Sequence, residues 1–338
     1  MTTRRQILQT ASAASLASIG LQATAQSSQP SASKSTKQDK AWPSQPLKIV
    51  VPFPPGGTSD MIARIIANAL GESLKTTVIV ENKTGANGSV GAGVVATSTD
   101  SHTMLLSDMG AVALAHVITP ELPYKTTDLQ GVTMLAYSPH MLVATPSLPA
   151  NNLQELIALS KRKKINVASS GTGAPTHLAM AEIAMATGMQ WTHVPYRGGA
   201  QSIADTAAGV TDVVMNGMLA TLPLVNAGRL KVIGISKRTR MALVGAMPTI
   251  AEQGLPTFES GTYQGVAVAS TMPKAAIDKL SAGLIAVIRT PEVRARLSAA
   301  GAEVMTSTPL EMNQFLVSER QRWSGVISRA GKQLEGTA

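Results

Sequence analysis

The sequence predicts an α/β protein of two lobes, and three observations carry that expectation. From Leu47 onward, short β-branched runs alternate with segments of helical apolar period, the pattern of βαβ units on a parallel sheet. Roughly 300 residues follow the N-terminal leader, more than a single core usually holds. After Thr262–Ala269, itself an apolar strand pattern, three helical segments follow in succession, and such a run suggests that the chain returns to cover its first sheet.

In chain order, the N-terminus comes first. Arg4-Arg5 precede a modest apolar stretch, Ile7–Leu21, without an acidic residue, and Ala23-Thr24-Ala25 ends it as an A-x-A cleavage site. The stretch is too short and too diluted by Ala, Ser, Thr and Gly to span a bilayer. It reads as an export signal over residues 1–25 that leans to the twin-arginine route, with the general secretory path as the alternative. Residues 26–44, rich in Ser, Gln and Lys, form a flexible leader. Cleavage near Ala25 places the mature protein in the periplasm. The chain has no cysteine, which excludes a lipidated N-terminal Cys, disulfides, thiolate metal sites and a Cys nucleophile.

Leu47–Val51, Val78–Val80 and Thr103–Leu106 are the first strands, with a helix at Met61–Leu70 and another started by the Glu81–Gly91 segment. Gly131–Leu135 and Met141–Ala144 follow as two strands, then Lys164–Ala168, Thr192–Val194, Asp212–Met215 and Leu230–Ile235. Between them fall helices at Leu153–Ser160, His177–Thr187, Gln201–Ala208 and Leu219–Ala227. The terminal helices are Pro273–Ile288, Pro291–Ala299 and Pro309–Ala330, each opened by a proline that costs no hydrogen bond in a first turn. Extended crossings between the lobes fall near Ala136–Leu142 and Ser260–Val266.

The loops after the strands are the candidate site. Val51-Pro-Phe-Pro-Pro-Gly-Gly-Thr-Ser-Asp60 joins the first strand to the first helix, with Gly56 and Gly57 open to close approach and Thr58 placed to cap. Its amides and the positive helix end suit a carboxylate or phosphate. It is no P-loop, because Gly-Lys-Ser/Thr is absent, and a structural turn accounts equally for any one Gly-Gly pair. Ser169-Ser-Gly-Thr-Gly-Ala-Pro-Thr176 and Pro195-Tyr-Arg-Gly-Gly-Ala200 repeat the strand–loop–helix arrangement, and in open α/β sheets ligands bind beyond the carboxyl ends of the strands. Gly171-x-Gly173 opens a dinucleotide fingerprint, but Thr176 stands at the third glycine, so no nucleotide cofactor is indicated. Arg197 is the best cation for a ligand carboxylate, against the plainer reading of a solvated surface Arg. Tyr196 and Tyr263 suit either a cleft wall or packing. Asp60 and Asp205 read as first-turn helix acids.

Other chemistries find little support. His102, His116, His140, His177 and His193 lack metal-ligand spacing, no G-x-S-x-G is present, and no cofactor or catalytic set is indicated. The formal charge of +9 includes Arg4 and Arg5, and the basic run Lys161–Lys164 sits at a helix end, where cations suit the dipole. Aromatic residues make up 3% of the chain, which leaves no base-stacking platform for nucleic acid.

Pro52-Phe-Pro-Pro-Gly-Gly-x-x-Asp60, Val80-Glu-Asn-Lys-x-Gly-Ala-x-Gly88, Leu122-Pro-Tyr124, His193-Val-Pro-Tyr-Arg-Gly-Gly199 and Pro291-Glu-Val-Arg294 together resemble the Bug family, the TctC-like substrate-binding receptors of tripartite tricarboxylate transporters. The resemblance runs from about Trp42 to Gly331. It implies a type II periplasmic-binding-protein fold, in which each lobe is a mainly parallel sheet flanked by helices, with residues 45–137 and 263–338 in one lobe and 138–262 in the other. It further implies a monomeric receptor without enzymatic activity, a small carboxylate held between the lobes largely by backbone groups, and permease subunits as partners. Carried over, the ligand-facing loops are Pro54–Asp60, Ser107–Ala111 with Asp108, Ser169–His177 with Gly171, Thr172, Gly173 and Thr176, and Tyr196–Gly199 with Arg197 and Gly198. The sequence departs from the family at Asp100-Ser-His-Thr103, at Val112 and at Tyr263, which bears on the ligand more than on the fold. A periplasmic sensor subunit is the alternative function, and an enzyme on the same scaffold is a third.

Overall fold

The computed structural model describes residues 42–119 and 121–331, so the export signal and most of the leader lie outside the described residues. The first half of the chain alternates strands and helices: β1 (Leu47–Val51), α1 (Thr58–Leu74), β2 (Val78–Asn82), α2 (Ser89–Ala96), β3 (Thr103–Asp108) and α3 (Met109–Ile118). The long β4 (Leu129–Ala144) then leads to α4 (Leu153–Ser160), β5 (Asn166–Ser169), α5 (Pro175–Thr187), β6 (Thr192–Pro195), α6 (Gly199–Ala207), β7 (Val213–Gly217), α7 (Met218–Asn226) and β8 (Lys231–Ile235). The chain finishes with β9 (Gly261–Ala269), α8 (Lys274–Ile288), α9 (Pro291–Ala299), β10 (Glu303–Val304) and α10 (Pro309–Ala330).

The caps show why the terminal helices start where they do. Thr308 accepts from the Glu311 N–H at 3.2 Å while the Glu311 carboxylate accepts from the Thr308 N–H at 2.7 Å, a reciprocal pair that satisfies two otherwise orphaned donors. Pro309 then opens α10 with φ already set for a helix.

Among the named strands of the described residues, parallel pairs run through β2–β1–β3 and β7–β5–β6, whereas β9 runs antiparallel to β3 and β4, and β4 runs antiparallel to β7 and β8. The result is a mixed arrangement whose two parallel sets meet at β4. Strand order is β2-β1-β3-β9-β4-β7-β5-β6, with β10 and β8 also on β4.

The sequence predicts two strands around an extended crossing at Ala136–Leu142; the structure has one. From Leu129 to Pro139, β4 pairs with β9, and from His140 to Ala144 it pairs with β7. The polar residues that interrupt the apolar pattern are buried and find hydrogen-bond partners across the sheet, although His140 Nε2 has none among the described residues. Ser138 Oγ accepts from the Leu219 N–H at 3.1 Å, and His140 Nδ1 shares a hydrogen bond with Ser260 Oγ at 2.8 Å. Pro139, which has no N–H to give, falls where β4 exchanges one partner for the other.

Each set of strands is covered on both faces. Ile62, Ile66 and Leu70 of α1 pack with Leu280 and Leu284 of α8 and Leu297 of α9 on the apolar side chains of β1, β3 and β4. On the other face, Ala92 of α2, Met109 and Ala113 of α3 and Met312 of α10 meet Val50, Leu105 and Ala267. Leu153, Leu156 and Ile183 of α4 and α5 cover one side of β5 and β7, and Ile203, Met218 and Leu222 of α6 and α7 cover the other. Trp323 of α10 also packs with Leu114 of α3 and Leu178 of α5.

Candidate functional site

A cavity of about 480 Å³, counting its solvent-open mouth, lies where the carboxyl ends of β1, β3, β5, β6 and β7 converge. Its wall takes Phe53, Gly57, Thr58 and Ser59 from the β1–α1 segment, Asp108 and Ala111 from β3–α3, and Ser170, Ala174, Pro175 and Thr176 from β5–α5. Gly199 from α6, Asn216 from β7, and Thr262 and Gln264 from β9 complete it. Among the described residues, no Lys or Arg lines it. First turns of α1, α3, α5 and α6 therefore reach one space. The N–H groups of Thr58 and Ser59, and of Thr176, lie at positions with no intrahelical acceptor, and their dipole ends favour negative charge.

The two strand sets meet closely here. A Cβ on Gly217 would come within 2.8 Å of Thr58 Oγ1 and 3.3 Å of Thr262 Oγ1, so the start of α7 has room only for glycine against α1 and β9. Gly198 lies against Pro54, with φ +153° and 2.7 Å from its Cβ position to Pro54 Cδ. Gly199 packs so tightly on the Asn216 side chain that any Cβ would displace it, and Asn216 Nδ2 donates to the Gly199 carbonyl at 3.0 Å.

Asp60 organises the β1–α1 turn from beneath. One carboxylate oxygen accepts from the Gly56 N–H and from Arg64 Nε, each at 2.9 Å, and the other accepts from Asn82 Nδ2 at 3.0 Å. Asn82 Nδ2 also donates to the Phe53 carbonyl at 2.9 Å. Burial alone would raise the Asp60 pKa, but the bonds from Arg64, Gly56 and Asn82 and the Arg64 charge hold it below the ordinary value.

Asp108 has the opposite balance. Burial, joined by the negative charge of Glu319, pushes its pKa up to about 7 against the N–H bonds it accepts from Gly110 and Tyr263. Both of those bonds, each 3.1 Å, fall on Oδ1.

A model of the tripartite tricarboxylate transporter family receptor matches residues 62–332. The chain belongs to this family. It is similar to BugT of Bordetella pertussis strain Tohama I, at 33% identity over 300 residues that cover 87% of this chain and 92% of BugT. Among solved structures, the R. palustris protein Rpa4515 with adipate has a TM-score of 0.83 at 28% identity, covering 86% of this chain and 98% of that one. The periplasmic binding protein BugD has a TM-score of 0.80 at 28% identity, covering 86% and 99%. The family and these neighbours are solute-binding proteins rather than enzymes, and the tripartite receptor has the two-lobed α/β fold of periplasmic binding proteins.

Of the residues singled out from sequence, the receptor brings Gly57, Thr58, Asp108, Thr176 and Gly199 to the cavity wall. Pro54, Gly56, Asp60 and Gly198 stand behind it as the packing and hydrogen bonds above describe. Ser107 faces a second cavity of about 190 Å³, with Val112, Asn87 and Tyr124. Ser169 Oγ meets His193 Nε2 at 2.6 Å, and the His193 ring stacks on His177 with centroids 3.8 Å apart. Gly171 and Gly173 turn their N–H groups to Ser169 Oγ and to His177 Nδ1, within their own loop. Thr172 and Arg197 are exposed, and Tyr196 donates its hydroxyl to Asp205 at 2.8 Å. Tyr263 packs its ring between Tyr137 and Phe315.

Three details differ from the sequence reading. Gly57, not Thr58, is the N-cap of α1, and with φ −80° it needs no glycine-specific angle. Ser107–Ala111 is no loop: β3 runs straight into α3, and Asp108 is both the last strand residue and the helix cap. Asp205 lies in the last turn of α6 rather than the first. Sequence reasoning passed over Phe53, Asn216, Thr262 and Gln264. A signal for the last two was present, because polar residues two apart in an apolar strand share one face.

Proposed function

We propose that this receptor captures a small carboxylate in the 480 Å³ cavity and delivers it to the membrane permease of a tripartite tricarboxylate-type transporter. The observation that carries the reading is the convergence of the α1 and α5 first turns on a cavity whose wall, among the described residues, has no Lys or Arg. Such a site holds an anion by oriented N–H groups, and releasing it requires no ion pair to be broken. The N–H groups of Gly56, Gly171 and Gly173 are committed within their own loops, so Thr58, Ser59 and Thr176 are the donors assigned to the ligand. The adipate in Rpa4515 supports the same class of ligand.

The lobes assigned to it are residues 45–137 with 263–338, and residues 138–262. They turn where β4 leaves β9 for β7, at Pro139–His140, and closure there removes the ligand from water. The protein is exported and cleaved after Ala25, and the mass of periplasmic protein should therefore begin at Gln26.

Two or three charge-assisted hydrogen bonds, at about 1.5 to 3 kcal/mol each, supply a large part of the roughly 8 kcal/mol of a micromolar complex. A thermal-shift screen of small carboxylic acids against their neutral amides tests this. Acids at about a hundredfold excess over Kd should add about 2.7 kcal/mol, a rise of a few degrees in Tm. Gly57→Val, which fills the cavity without straining the backbone, should remove the shift. Amides or sugars that stabilise as well as any acid would rule the reading out.

A further inference from the structure

The cavity wall has a second chemical character away from the α1 turn. Asp108 and Gln264 stand directly opposite one another in the antiparallel β3–β9 register, so their side chains share a face of the sheet. Both line the cavity, and they are only 5% and 1% exposed. Asp108 Oδ1 takes both backbone N–H bonds, from Gly110 and Tyr263, while Oδ2 accepts none among the described residues. The Gln264 carbonyl oxygen is buried with no hydrogen-bond partner. An orphaned acceptor of this kind is costly in a folded protein and points to a partner that arrives later. Rotation about χ3 exchanges the oxygen and nitrogen of the amide, and Gln264 lines the cavity.

The charges around this corner do not invite an anion. Glu319 of α10 lies next to it, with Oε2 3.7 Å from a Cβ placed on Gly110, and accepts from Trp323 Nε1 at 2.7 Å. Arg322 is engaged with Glu319, at 3.5 Å. A second ligand carboxylate here would be the third acid around one buried corner, and a group that donates hydrogen bonds would be matched to both open acceptors.

We propose that Asp108 and Gln264 form an acceptor pole, so that the ligand is a carboxylic acid bearing a hydrogen-bond donor, a hydroxyl or an ammonium, away from its carboxylate. This rests on the carboxylate reading above and narrows it. The preference for a donor over a second acid is a property of this pair, and Asp108 is its specificity-determining residue.

The test is a matched series at two chain lengths, by calorimetry at about pH 8, where unsubstituted, hydroxyl, amino and second-carboxyl ends are compared on one scaffold. The probes are butyrate, γ-hydroxybutyrate, γ-aminobutyrate and succinate, and then hexanoate, ε-hydroxyhexanoate, ε-aminohexanoate and adipate. A donor-bearing acid should bind at least about tenfold tighter than both its unsubstituted acid and its diacid. The hydroxyl and amino arms separate the two sources of the donor. Asp108→Asn, which keeps Oδ1 for the two backbone bonds, should shrink the margin over the diacid to about threefold or less. Gln264→Met should weaken the donor-bearing acid alone, and the wild-type ranking stands whether or not either variant folds. Succinate or adipate binding wild type as tightly as the donor-bearing acids would overturn the proposal and leave the carboxylate reading intact. Failure of every acid in the series, with amides binding instead, would overturn both.

Discussion

Replacing Asp108 with asparagine isolates what it costs to keep a carboxylate in the wall of the binding cavity. Its pKa moves from 3.8 to about 7, chiefly through burial. At about 1.4 kcal/mol per unit, that difference amounts to an upper bound of about 4 kcal/mol against the ionised form. The sign follows from the raised value. Between the unfolded and folded pKa the native state holds the proton more tightly, so the penalty is fully present above about pH 7 and is relieved as pH falls towards 3.8. Asparagine retains the acceptor for Gly110 and Tyr263 and carries no charge. Water in the cavity screens part of the cost, so a gain of about 1 to 3 kcal/mol at about pH 8 is expected, shrinking to near zero at about pH 4. Urea unfolding of both proteins at the two pH values reads this directly, and titrating groups that do not interact with Asp108 cancel in the comparison. If the variant were instead less stable at the higher pH by more than at the lower, Asp108 would be a stabilised anion and the reasoning from burial would be wrong.

Three further outcomes follow from the same geometry. Burial, with smaller contributions from Arg322 at His140 and His177 at His193, lowers both histidines to about 3, so the stability they contribute is present above pH 6.5 and is lost as pH falls from there. In the Asp108→Asn background, where the opposing titration is gone, urea midpoints should drop through that range, and a flat profile would contradict the assignment. Gly198→Ala should cost about 1 to 3 kcal/mol, because φ is +153° and the new Cβ meets Pro54 Cδ, and an unchanged melting temperature would show that the contact is not tight. Asp60→Ala removes the acceptor for Gly56, Asn82 and Arg64 and should cost about 2 kcal/mol, below a fully buried ion pair because the Arg64 side chain is 54% exposed. Its ligand affinity should also fall, and full affinity at reduced stability would separate the turn from the site.

The amino-acid sequence by itself determined the alternation of strands and helices, because apolar period and proline placement are local properties that packing had no reason to override. Leu153–Ser160, Pro291–Ala299 and Pro309–Ala330 are helices with the bounds their sequences imply. It also showed which loops carry glycine beside a helix start, and so Gly57, Thr58, Thr176 and Gly199 were legible as candidates. Tertiary structure alone decided that β4 is one strand, since Tyr137, Ser138 and His140 break the apolar pattern yet find partners in Ser260, α7 and β9. It also decided which donors are free. The N–H groups of Gly56, Gly171 and Gly173 are taken by side chains only two or four residues away, but that the remaining free turns of α1 and α5 meet across one cavity is set by the sheet and by no local pattern. The pairing of Asp108 with Gln264 is of the same kind: 156 positions apart in the chain, they become neighbours only through the antiparallel register of β3 and β9.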